Sequence, residues 1–108
     1  MTVRELSDEL GFEILCMPDG ERQVSGAYIG DLLSWVMGRA SADNVWITIM
    51  SNVNVIAVAS LADVACVVLA EGVTLDGEVL KTAGDRGVNV LKSNLPAYET
   101  ATLLMGKI

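Results

Sequence analysis

The stretch VWITIMSNVNVIAVASLADVACVVL, from Val45 to Leu69, decides the fold. Val45 to Met50 is mostly β-branched or aromatic and reads as a strand. Ser51 or Asn52 then supplies a helix cap, and Val53, Ile56, Ala57, Ser60 and Leu61 recur at spacings of three and four, which predicts a helix to about Ala62. After Asp63 the run Val64 to Leu69 is continuously apolar, the pattern of a strand covered on both faces. A strand, a helix and a strand in this order form a right-handed crossover with the strands parallel. Polar residues at Thr48, Ser51, Asn52, Asn54, Ser60 and Asp63 divide the stretch. Its apolar runs therefore stop short of the roughly 18–20 residues that a spanning helix needs. It reads as the core of a soluble domain, with no membrane partner.

The same alternation continues on either side. Downstream, Thr74 is placed to cap a helix through Leu75, Val79, Leu80 and Ala83 that stops at Gly87. Val88 to Leu91 reads as a strand, and Pro96 opens a final helix with Tyr98, Ala101, Leu104 and Met105 facing inward. Upstream, Thr2 and Glu5 have the spacing of a capping box, and Gly11 offers a left-handed stop after Leu10. Phe12 to Met17 and Gln23 to Ile29 read as strands on either side of the turn Pro18-Asp19-Gly20. Asp31 is expected to cap a helix whose Leu32, Leu33, Val36 and Met37 form one face. The fold class is α/β: a single three-layer domain over residues 1–108, with a mostly parallel sheet of about five strands and helices on both faces.

Composition fits one core and excludes several chemistries. The chain has 108 residues, 52 % of them hydrophobic, and a formal charge of −7 from 14 acidic and 7 basic residues. It contains no histidine, which removes Ser-His and Cys-His nucleophile pairs and His-ligated zinc. Cys16 and Cys66 each sit in an apolar run and read as free buried thiols of a reducing, cytoplasmic environment; two thiolates alone make no metal site. The seven basic residues are scattered, so no stripe exists on which a nucleic-acid backbone would release counterions. Glu5, Asp8, Glu9 and Glu13 are incompatible with a secretory signal. Asp31, Asp63, Glu71 and Glu99 are the carboxylates nearest apolar segments and thus the candidates for acid–base work. Lys92 is the cation expected to partner Asp31 or Glu71. None of them is paired with a nucleophile, and no catalytic residue, metal or cofactor is assigned.

In an open parallel sheet, ligands bind beyond the carboxyl ends of the strands, where loops meet helix amino termini. Two loops qualify: Met50-Ser51-Asn52-Val53-Asn54 and Ala70-Glu71-Gly72-Val73-Thr74. Ser51, Asn52, Asn54, Glu71, Gly72 and the nearby Asp31 form the candidate ligand-binding set. Each also has a structural reading, as a helix cap for Ser and Asn and as a turn for Gly.

Several segments together resemble the DRTGG domain family, notably its small stand-alone members, and more distantly the amino-terminal domain of HPr kinase. They are Gly26 to Ser34, Val45 to Ile49 running into Asn54 to Ala59, Ala65 to Gly72, and Ala97-Tyr98-Glu99. The resemblance places Ser51-Asn52 where the family's Asp-Arg falls and Ala70-Glu71-Gly72 where its Thr-Gly-Gly falls. Losing the Arg removes a phosphate-gripping fork, and Glu71 adds a carboxylate, which disfavours polyanions. What the resemblance implies is a non-catalytic regulatory or ligand-sensing module acting as a homodimer. Its expected ligand is a nucleotide or small metabolite. The alternative is an accessory scaffold that binds another protein, such as a redox enzyme subunit, with no small ligand. The helix predicted over Asn52 to Ala62 is apolar nearly all round. It is expected to be covered on its outer side by a second copy or by the first or final helix of the same chain, with Trp35 and Trp46 as interface anchors or core.

Overall fold

The computed structural model describes all 108 residues, Met1 to Ile108. Its first helix, α1 (Val3–Leu10), starts where both halves of the capping box close. The Glu5 N–H donates to Thr2 Oγ1 at 3.1 Å, and the Thr2 N–H donates to Glu5 Oε1 at 2.9 Å. Those bonds favour the ionised carboxylate and hold Glu5 below the usual range. Strands β1 (Glu13–Cys16) and β2 (Ala27–Ile29) and helix α2 (Leu33–Arg39) follow. Then come β3 (Val45–Thr48), α3 (Asn54–Ala62), β4 (Cys66–Leu69), α4 (Gly77–Asp85), β5 (Val90–Lys92) and α5 (Ala97–Leu104).

The sheet order is β1-β5-β4-β3-β2, parallel throughout except for β1, which runs antiparallel to β5. Every residue of β3 and β4 is buried, and successive side chains divide between two apolar layers. Trp46, Val67, Leu69 and Val90 pack with residues of α2, α3 and α4. Val45, Ile47, Cys66, Val68 and Leu91 pack with residues of α1 and α5. The three-layer α/β architecture follows from this split.

The tertiary structure corrects several local expectations. The first two strands flank one turn in the chain, yet they lie at opposite edges of the sheet. The connection between them runs along the amino edge of the parallel strands and is held there by side chains. Asn89, just before β5, accepts from the Asp19 N–H and donates to the Asp19 and Ala65 carbonyls. Arg22 donates to Asp43, before β3, and to Asp63, before β4. The second strand shrinks to Ala27–Ile29 as a result, and Gln23 keeps only an isolated bridge to Thr2.

Helix α2 buries Val36 alone, and Leu32, Trp35 and Met37 are exposed. Asp31 does not cap it: the N-cap position is Leu32 and no side chain bonds there. Helix α4 starts at Gly77, after Asp76, and not at Thr74. In α5, Ala101 and Leu104 face inward as expected, but Tyr98 and Met105 are exposed. Helix α3 is covered by the sheet and by α2 and α4, because α1 and α5 occupy the opposite face. Trp46 is fully buried core, whereas Trp35 is exposed beneath the Arg39 guanidinium, 3.7 Å from its ring centre. Both thiols are free; Cys66 is buried and Cys16 half-buried.

Candidate functional site

Because β2, β3, β4 and β5 are parallel, the loops leaving them share one edge, and the loops after the paired strands β3 and β4 are neighbours. Asp31, in the loop after β2, is drawn toward β3. Its Oδ1 accepts from Thr48 Oγ1 at 2.7 Å and from the Ile49 N–H at 3.0 Å, while Thr48 Oγ1 accepts from the Met50 N–H at 3.2 Å. The carboxylate thus holds the end of β3 in place, a role that spacing alone did not reveal. Asp31→Ala leaves the buried Thr48 hydroxyl and the Ile49 N–H without their acceptor. Urea unfolding should show a loss of about 1–2 kcal/mol, with Asp31→Asn closer to wild type. Equal stability of both variants would refute this role.

Neither Ser51 nor Asn52 caps α3: the N-cap position is Val53 with no side-chain bond, and the Asn52 Oδ1 instead accepts from the Asn54 N–H at 2.9 Å, closing a local turn just ahead of the helix. Ser51, Asn52 and Asn54 are exposed, and the N–H groups of Ser51, Asn52 and Val53 have no partner within the chain. The Asn52 amide NH₂ is also unpaired. These donors stand at the positive end of the α3 dipole, an arrangement that can accept a carboxylate or a phosphate oxygen.

The loop after β4 leans the other way. The Glu71 N–H donates to the Leu95 carbonyl and the Gly72 N–H to the Ser93 carbonyl, both at 2.9 Å. Glu71 and Gly72 are both left-handed, with φ of 61° and 70°. A side chain at Gly72 would be strained and would come within 3.3 Å of Asn94 Oδ1. Glu71 is exposed. The pairing also brings in a fourth loop, Ser93 to Pro96, where the sequence suggests Ser93 as a cap of the final helix; the N-cap is instead Pro96, and the Ser93 hydroxyl is hydrogen-bonded to that of Thr100 at 2.7 Å. That this loop would meet Glu71 and Gly72 has no local signature, since β5 becomes the neighbour of β4 only in the folded sheet. Lys92 faces Glu13 of β1 at 3.9 Å, and neither Asp31 nor Glu71 has an ion-pair partner; the antiparallel edge strand decides this. A shallow, open groove of about 280 Å³ lies away from these loops, against Gly26, Ala27 and the end of α5.

This sheet, with its run of loops along the carboxyl edge, defines a small three-layer α/β domain. The family model of the DRTGG domain matches residues 5–106, and the chain belongs to that family. Among solved structures it is similar to the CBS and DRTGG domains of the regulatory region of Clostridium perfringens pyrophosphatase, complexed with the activator diadenosine tetraphosphate. The TM-score is 0.72 at 15 % sequence identity, over 95 % of this chain and 45 % of that one. The chain thus spans less than half the length of that relative. No curated protein matches it.

Proposed function

We propose that the chain is a non-catalytic regulatory module of the cytoplasm that senses a nucleotide or small metabolite at the carboxyl edge of its sheet and acts as a homodimer. The observation that carries this reading is the set of unpartnered donors at Ser51, Asn52 and Val53 beside the exposed Asn54. They lie in the two-loop region where the family's Asp-Arg and Thr-Gly-Gly motifs fall. The pyrophosphatase relative, whose regulatory region is complexed with a dinucleotide activator, supports the ligand class. Without an Arg in the loop, and with Glu71 in its neighbour, the site favours ligands of low charge over polyphosphates.

The test is a thermal-shift panel of mononucleotides, diadenosine tetraphosphate and uncharged nucleosides. A ligand at 100 times its dissociation constant adds about 2.7 kcal/mol, which for a domain of this size raises Tm by roughly 10–20 °C. Asn52→Asp is expected to weaken any anionic ligand by bringing a like charge next to it. A shift that Asn52→Asp leaves untouched would remove this loop from the site. The second reading, a scaffold for another protein, draws on the exposed Leu32, Trp35 and Ile29, and a panel that shifts nothing would favour it.

A further inference from the structure

Asp31 stands immediately before helix α2, yet its carboxylate bonds to the exit of β3 and not to that helix. Its Oδ1 accepts from the Thr48 hydroxyl and the Ile49 N–H, and Thr48 Oγ1 in turn accepts from the Met50 N–H. Thr48 is only 2 % exposed, so the bond from its hydroxyl to the carboxylate is shielded from water, and hydrogen bonds to an ionised acceptor are the strong kind. This series of contacts ends one residue short of Ser51, where the unpartnered donors begin. On the other side of Asp31, Gly30 is pinned to β3 twice. Its N–H donates to the Ile47 carbonyl, and its own carbonyl accepts from Trp46 Nε1. The tether to the helix is short, because Leu32, next after Asp31, is already the N-cap of α2. The first turn of α2 therefore cannot shift without moving the Asp31 carboxylate.

Helix α2 is itself lightly held. It buries Val36 alone, no side chain caps its start, and Leu32, Trp35 and Met37 are exposed. An element with so few buried contacts opens at lower cost than the core of its domain. The loop after β4 is tied elsewhere, through Glu71 and Gly72 to the loop after β5.

We infer that Asp31 couples α2 to the loop after β3: its carboxylate makes the start of the helix and the loop from Ile49 open and close as one unit, so that a ligand ordering the loop is felt at α2. The last step rests on the ligand-sensing reading given above, and the coupling itself does not. Energetic coupling is reciprocal, so whatever loosens α2 loosens the loop as well. Asp31 is a positioning residue in this scheme, acting through Thr48 on the backbone that leads to Ser51. Met50 packs in the same apolar layer as Leu33 and Val36, which is a second route between helix and loop that experiment can separate from the first.

Native-state hydrogen exchange on the full chain makes the separation. In wild type the N–H groups of Val36 and Ala40, bonded within α2, and of Ile49 and Met50 in the loop should share one opening equilibrium. All four should exchange well ahead of the Val67 N–H in β4, which is bonded to the Asn89 carbonyl and reports global unfolding. Met37→Gly, at an exposed position of α2, should raise all four rates together, roughly threefold. In an Asp31→Ala background the same substitution should raise only the two α2 rates. An Asp31→Asn background, which keeps an acceptor oxygen, should restore the joint response. Ile49 and Met50 rates that ignore Met37→Gly in the wild-type background overturn the coupling. Rates that still follow it in Asp31→Ala assign the coupling to Met50 packing and overturn the role of Asp31. Four rates equal to that of Val67 overturn it too, because no separate unit then opens. A thermal-shift panel that shifts nothing overturns ligand sensing and leaves these exchange rates as they are, so the two failures are distinguishable.

Discussion

Val58→Glu should destabilise the whole domain severely, and not release a folded monomer of normal stability. Val58 belongs to the apolar layer that includes Val36, Trp46, Val55, Ile56 and Ala59, and is only 9 % exposed. A carboxylate there would be buried among these side chains, at a cost of about 3–5 kcal/mol for an uncompensated buried charge. Against the roughly 5–15 kcal/mol that holds a domain of this size together, that is a large fraction of the whole. Circular dichroism should show the melting temperature lowered by about 15–30 °C, or no folded baseline. Leu61→Glu is the control: three residues further along α3 but 71 % exposed, it should change stability by no more than about 0.5 kcal/mol. A Val58→Glu chain that melts like wild type would mean that this side of α3 is open to solvent.

A second large effect is expected at alkaline pH. Burial pushes the Cys66 thiol up to about 12 from its ordinary value of 9.0, with the charge of Arg22 acting weakly the other way. The sign follows from proton counting. Between pH 9 and 12 the unfolded chain has lost the Cys66 proton and the folded chain retains it, so stability falls as pH rises. Below pH 9 both states are protonated and the contribution is fully present. A displacement of about three units corresponds to about 4 kcal/mol, lost progressively across that window. Urea midpoints measured from pH 7 to 11 should fall steeply in wild type. In Cys66→Ala they should start lower, because a buried group is removed, and then fall much less. Parallel profiles for the two chains would assign the alkaline loss to other groups. A thiol reagent should likewise modify Cys66 only as fast as the chain unfolds.

Much of the fold was legible in the residues. The capping box at Thr2 and Glu5, the stop at Gly11 and the crossover from Val45 to Leu69 all depend on interactions within a few positions, and the structure contains each of them. The candidate site was legible only in part. That Ser51, Asn52 and Asn54 would share an edge with Glu71 and Gly72 followed from parallel strands. That Asp31 would be tied to Thr48, and that Gly72 would lean on Ser93, did not. Those contacts join residues 17 and 21 positions apart across neighbouring strands, and no local pattern encodes which strands become neighbours.

The sequence by itself determined the α/β class, the parallel core strands and the family, since period, apolar runs and caps are properties of contiguous segments. Only the tertiary structure decided that β1 and β2 part to opposite edges and that α2 and α4 pack against α3. A strand's place in the sheet and a helix's cover depend on which distant surfaces meet, and burial is shared between partners that the chain brings together only once it has folded.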